Sequence, residues 1–140
     1  MKRRTLLAFL LLPDAVQAHS YKFGNVLIGH AWGLPSKDGE TQIFMPLLNV
    51  GAAADTLMSA ACENAKSTEL RLTNDYTKPP ETGFVLEPNK PFPMRLPAKH
   101  IRLLGLTKPV VVGDNVSITL KFDHAGETKI EVHIQERPSE

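Results

Sequence analysis

Few side chains in this 140-residue chain can do chemistry. Histidines stand at positions 19, 30, 100, 124 and 133, one cysteine at 62, and methionines beyond the first residue at 45, 58 and 94. A single cysteine can neither close an internal disulfide nor build a multi-thiolate zinc centre. With Ala60 and Ala61 before it, Cys62 reads as a small buried residue. Any metal must therefore be held by His, Met or carboxylate. The chain has no phosphate-binding loop, no paired-glycine dinucleotide fingerprint and no Gly-x-Ser-x-Gly elbow. These residues point away from an enzyme and toward binding.

Among the histidines, His100 opens the run His100-Ile101-Arg102-Leu103-Leu104. Strand alternation puts His100 and Arg102 on one face and Ile101 and Leu103 on the other. That spacing lets one strand present two ligands, but Arg102 is permanently protonated and cannot ligate a cation. His133 falls on the polar face of its strand and His124 in a turn, so both are expected in solvent. Met45, Met58 and Met94 sit in apolar surroundings and are expected to fill the core.

The first residues bear on compartment and on His19 together. Lys2-Arg3-Arg4, the apolar run Leu6 to Leu12 and the small-residue ending Val16-Gln17-Ala18 form a secretory signal peptide, residues 1–18. The apolar run is much shorter than the roughly 20 residues of a bilayer span, so no membrane span is expected after cleavage. Cleavage after Ala18 makes His19 the new N-terminus of a mature domain, residues 19–140. A terminal histidine offers its α-amino group and imidazole Nδ1 as a chelating pair suited to Cu(II). Removing Lys2, Arg3, Arg4 and Asp14 turns the formal net charge of +1 into −1. Without a basic excess, nucleic acid is excluded as a partner.

The elements that must position these residues read as strands. Val116-Ser117-Ile118-Thr119-Leu120-Lys121-Phe122 alternates apolar and polar side chains, as does Ile130-Glu131-Val132-His133-Ile134. Asp123-His124-Ala125-Gly126 between them predicts an antiparallel hairpin. Further strands are predicted over 25–32, 42–49, 56–61, 68–72, 83–86, 92–96 and 100–104, each bounded by Gly, Pro, Asn or Asp. The stretch 73–82 is predicted to be a mobile loop. Short strands between turn residues describe one all-β domain, an antiparallel sandwich or barrel.

From His19 to Ile134 the chain resembles the periplasmic copper chaperones of the PCuAC type (DUF461). The segments that carry the resemblance are His19-Ser20-Tyr21-Lys22-Phe23-Gly24, Ile28-Gly29-His30-Ala31-Trp32, Leu48-Asn49-Val50-Gly51 and Asp55-Thr56-Leu57. They continue with Glu69-Leu70-Arg71, His100-Ile101-Arg102, Leu103-Leu104-Gly105-Leu106, Gly113-Asp114-Asn115-Val116 and Leu120-Lys121-Phe122. The resemblance implies a cupredoxin-like, Greek-key β-sandwich, monomeric and periplasmic, that carries Cu(I) to an exported acceptor in cytochrome oxidase assembly. Its His and Met ligands suit the reduced ion because soft thioethers and imidazoles favour it. Here Arg71 stands where the family has His and Arg102 where it has Met, and 78–85 lacks the further methionine. His100 keeps a ligand position. Copper held by His100 and His19, with Cu(II) favoured by the terminal chelate, is the function expected. The alternative is a ligand-depleted interaction module that docks a protein partner or an anion through Arg71 and Arg102, with Lys99 beside them.

Overall fold

The computed structural model describes residues 20–137, so His19 and the predicted signal peptide lie outside the described residues. The elements are β1 (Tyr21–Phe23), β2 (Val26–Ile28), β3 (Trp32–Gly33), β4 (Thr41–Phe44), β5 (Leu47–Asn49) and β6 (Asp55–Ala61). They continue as β7 (Ala65–Arg71), β8 (Phe84–Leu86), β9 (Pro91–Phe92), β10 (His100–Leu106), β11 (Asn115–Phe122) and β12 (Gly126–Ile134). One sheet runs β1-β2-β5-β9 and the other β7-β10-β4-β3-β12-β11-β6-β8. Neighbouring strands are antiparallel except β12 and β3, which run parallel.

The chain crosses between sheets where the predicted strands were too long. The run over 25–32 breaks into β2 and β3 around Gly29, whose amide donates to the Pro46 carbonyl at 2.9 Å. The run over 42–49 breaks at Met45-Pro46, where proline removes a ladder donor. The predicted strand over 92–96 is reduced to β9, because Pro91, Pro93 and Pro97 deprive this stretch of donors. In each case sheet exchange or missing donors overrides a valid apolar pattern.

The hairpin forms in the expected register. Val116 faces Val132, Ile118 faces Ile130, and Phe122 pairs with Gly126, leaving a three-residue turn that Gly126 closes with φ of 99°. Ile118, Leu120, Val132 and Ile134 are fully buried. They join Val26, Ile28 and Leu47 of the smaller sheet in one core. Phe23 meets Phe122, and Phe92 meets Phe84, across the two sheets at ring separations of 6.4 and 4.9 Å. Met45 and Met94 are in this core, but Met58, expected there, is 40% exposed on β6. The alternation of β6 turns Leu57 inward and so Met58 outward.

Candidate functional site

His100 begins β10, a central strand that pairs with β4 on one side and β7 on the other. Ile101 and Leu103 enter the core, which sends His100 and Arg102 to the outer face of the sheet. The register sets His100 opposite Arg71 and Arg102 opposite Glu69. Although it points away from the core, His100 is fully buried. The cover is the 73–82 segment.

That segment, predicted to be mobile, is tied at several points. The Asn74 amide donates to the Pro97 carbonyl at 3.0 Å and the Glu81 amide to the Leu70 carbonyl at 2.8 Å. Asp75 accepts from the Thr77 amide at 3.1 Å and its hydroxyl at 2.6 Å. This places the Tyr76 hydroxyl 2.8 Å from His100 Nε2. On the other side of the ring, His100 Nδ1 lies 2.8 Å from the Ala98 carbonyl. A carbonyl only accepts, so Nδ1 carries the proton and Nε2 presents its lone pair to the Tyr76 hydroxyl. Burial pushes the His100 imidazole below its ordinary value; the Ala98 hydrogen bond opposes this, and the Arg71 and Arg102 cations reinforce it. The imidazole is neutral at pH 7, the form that ligates metals. The Phe44 ring lies 6.1 Å from it, and Trp32 stacks on Phe44 at 4.5 Å.

Tyr76 is also the platform for both arginines. The Arg102 guanidinium lies 3.7 Å from the centre of its ring and that of Arg71 5.1 Å. Arg71, only 4% exposed, donates Nε and Nη2 to Glu69 Oε1 at 2.9 and 2.6 Å, and Nη1 to the Lys78 carbonyl. Arg102 donates to Glu40 Oε1 at 2.7 and 3.1 Å and to Glu69 Oε1 at 3.1 Å. Burial acts to raise Glu69, but the hydrogen bonds and charges of Arg71 and Arg102 hold it below the ordinary carboxylate range. Two cations are thus matched by two carboxylates, and the formal charge of the cluster is zero. Lys99 has a different partner, its ammonium lying 5.0 Å from the centre of the Phe92 ring.

The other singled-out residues fall elsewhere. Cys62 is buried, and burial raises its thiol above the ordinary value. His124 and His133 are exposed as expected; His133 Nδ1 contacts Asn115 Oδ1 and exposed His30 Nε2 contacts Gln135 Oε1, both at 3.2 Å. Among the described residues no group of three or more His, Cys, Asp and Glu side chains could hold a metal ion. Nor is any described helix long and apolar enough to cross a membrane. Tyr76 is the site residue that sequence reasoning missed, since a tyrosine in a proline-containing loop carries no periodicity. Glu69 was legible in part, because strand alternation already places it on the face of Arg71.

Comparison with known proteins places the fold. The apo PCuAC domain from PmoF1 superposes with a TM-score of 0.76 at 24% identity, over 85% of this chain and 100% of that one. The copper-bound PCuAC domain from PmoF2 gives 0.75 at 24% identity, over 85% and 99%. The fold expected from the resemblance is therefore the fold observed. A curated relative, "Putative lipoprotein Lxx21020" of Leifsonia xyli subsp. xyli (strain CTCB07), is 23% identical over 130 residues, 89% of this chain and 78% of that protein. The family model described as "Putative lipoprotein LpqE-like" matches residues 26–134, most of the chain, and the protein therefore belongs to the LpqE-like family.

Proposed function

We propose that this protein is an extracytoplasmic copper-binding domain of the PCuAC type, which takes copper on the imidazole of His100 and hands it to an exported acceptor. The observation that carries this reading is the state of His100: buried, neutral, its tautomer set by Ala98, and its Nε2 lone pair covered by one phenol hydroxyl. An ion reaches Nε2 when the 73–82 segment lifts Tyr76 away, which breaks the Tyr76–His100 hydrogen bond, a net contribution of about 1 kcal/mol, and loosens the ties of Asn74 and Glu81. The arginines at the family's other ligand positions do not repel copper as two bare cations would, since Glu69 and Glu40 match their charge. The copper-bound PmoF2 domain shares the fold, and the signal sequence together with the lipoprotein name of the relative supports a location outside the cytoplasm.

Cleavage after Ala18 would add the terminal chelate of His19. Tyr21 of β1 pairs with Ile28, two residues before the exposed His30. His30 is thus a second imidazole to test beside His100. Equilibrium dialysis of protein beginning at His19 should show stoichiometric copper at micromolar concentration, about 8 kcal/mol of binding free energy. His100→Ala and removal of His19 should each weaken it at least tenfold, with His30→Ala run beside them. Absence of binding in either oxidation state would end the copper reading. The paired arginines favour the second reading, an interaction module, which instead expects no copper uptake and loss of partner binding in the Arg71→His, Arg102→Met double variant.

A further inference from the structure

We infer that residues 73–82 are a strap that opens and closes over His100 as one unit, and that Arg71 and Arg102 are its latch. As regulation of the site proposed above, this rests on the copper reading for its purpose, but the geometry and the main test need no copper.

The strap is a small closed piece on two tethers. The Lys78 amide donates to the Asp75 carbonyl at 3.2 Å, and Asp75 accepts from the Thr77 amide and hydroxyl, which makes a tight turn carrying Tyr76. Pro79 and Pro80 stiffen the chain that follows. Each tether is one backbone bond, from the Asn74 amide to the Pro97 carbonyl and from the Glu81 amide to the Leu70 carbonyl. No side chain of residues 73–82 belongs to the buried core; Thr73 and Tyr76 are half-buried and the others exposed. A segment with few hydrogen bonds and no buried apolar side chain opens locally while the core stays closed.

The two arginines close this turn onto the sheet. Arg71 donates Nη1 to the Lys78 carbonyl, and both guanidiniums lie over the Tyr76 ring, Arg102 at 3.7 Å and Arg71 at 5.1 Å from its centre. Glu69 holds both from the sheet and Glu40 holds Arg102 as well, so the latch is already ordered when the strap returns and little side-chain entropy is lost on closing. Closure brings the Tyr76 hydroxyl to His100 Nε2, the ring nitrogen with the free lone pair, because Nδ1 is engaged with Ala98. The arginines that stand at the family's other ligand positions therefore set how often His100 can be reached, and neither binds the ion.

The test combines amide hydrogen exchange with carbethoxylation of the metal-free mature chain by diethyl pyrocarbonate at pH 7, a reagent that attacks the imidazole lone pair. In the wild type the Asn74 and Glu81 amides should share one protection factor, at least about tenfold below that of Ile118 and Ile130, which pair in the hairpin core. Arg102→Gln, which removes the cation from the Tyr76 ring, should lower that shared factor about three- to tenfold and speed reaction of His100 by the same factor. Arg71→Lys, which keeps a charge beside Glu69 but loses the fork that reaches Lys78, should do likewise. Exposed His124 and His133 should react unchanged, and Lys99→Gln, which removes a charge next to His100 without touching the strap, should alter neither measurement. Asn74 and Glu81 exchanging independently, or only as fast as the hairpin core, overturns the inference. So does a His100 rate that neither arginine variant moves, or a variant that loosens Ile118 and Ile130 by the same factor as the strap. With Cu(II) chloride, uptake followed by the fluorescence of Trp32, the one tryptophan, should quicken in Arg102→Gln by the factor seen in carbethoxylation. No copper uptake alongside the expected exchange and carbethoxylation ends the copper reading and leaves the strap standing.

Discussion

Removing the Glu69 carboxylate should destabilise this protein far more than removing that of Glu40, although both pair with arginine. In Glu69→Ala, the Arg71 guanidinium loses contacts of 2.6 and 2.9 Å and keeps the Lys78 carbonyl, while Arg102 loses one of 3.1 Å and keeps Glu40. The side chain of Arg71 is 5% exposed. Breaking a buried ion pair from one side costs about 3–5 kcal/mol because a charge is left without compensation. Glu69 is 24% exposed, so water replaces part of what is lost and about 2–4 kcal/mol is expected. Glu40 is 35% exposed and Arg102 retains Glu69, which places Glu40→Ala at about 0–1 kcal/mol. For a domain of this size about 4 °C of melting temperature corresponds to 1 kcal/mol, so the Glu69 variant should melt about 8–16 °C lower. Urea denaturation of the metal-free protein measures the free energies directly. The Arg71→Leu, Glu69→Leu double variant should recover at least half the loss, since no lone charge stays buried. Equal losses below 1 kcal/mol for Glu69→Ala and Glu40→Ala would refute this reasoning.

Two further outcomes follow from the core and from His100. Leu120→Ala should cost about 2–5 kcal/mol in denaturant melts and Lys121→Ala less than about 0.5, because Leu120 is fully buried in the core and Lys121 faces solvent; equal costs would mean the hairpin register is wrong. Since folding lowers the His100 imidazole below its ordinary value, the unfolded chain protonates first, and its contribution is present above about pH 6.5. That contribution should be lost below pH 6.5, by at most about 1.4 kcal/mol per pH unit, and a pH series of urea melts should lose this slope in His100→Gln. Glu69 acts in the same direction at lower pH, its contribution present above the carboxylate range and lost as pH falls through it.

Local pattern was enough for the strands and for the core of the hairpin. The side-chain period of a strand is two, so Val116 to Phe122 declared their buried face without reference to anything distant. The same rule put His100 with Arg102 on one face. It failed where the chain changes sheets, at Gly29 and at Met45-Pro46, because apolar periodicity carries no record of which sheet an apolar residue enters.

What only the tertiary structure decided is how these faces meet. The pairing of β7 with β10 brings Glu69 and Arg102 face to face from 33 positions apart and turns two apparent repelling cations into a neutral cluster. The fold of the 73–82 segment brings Tyr76 onto His100, a contact between a loop residue and a strand residue 24 positions apart. Neither contact has a period or a spacing that could announce it. Whether a histidine is solvated, capped or ready for a metal depends on burial and on the partner of each ring nitrogen, and both are set by segments remote in sequence.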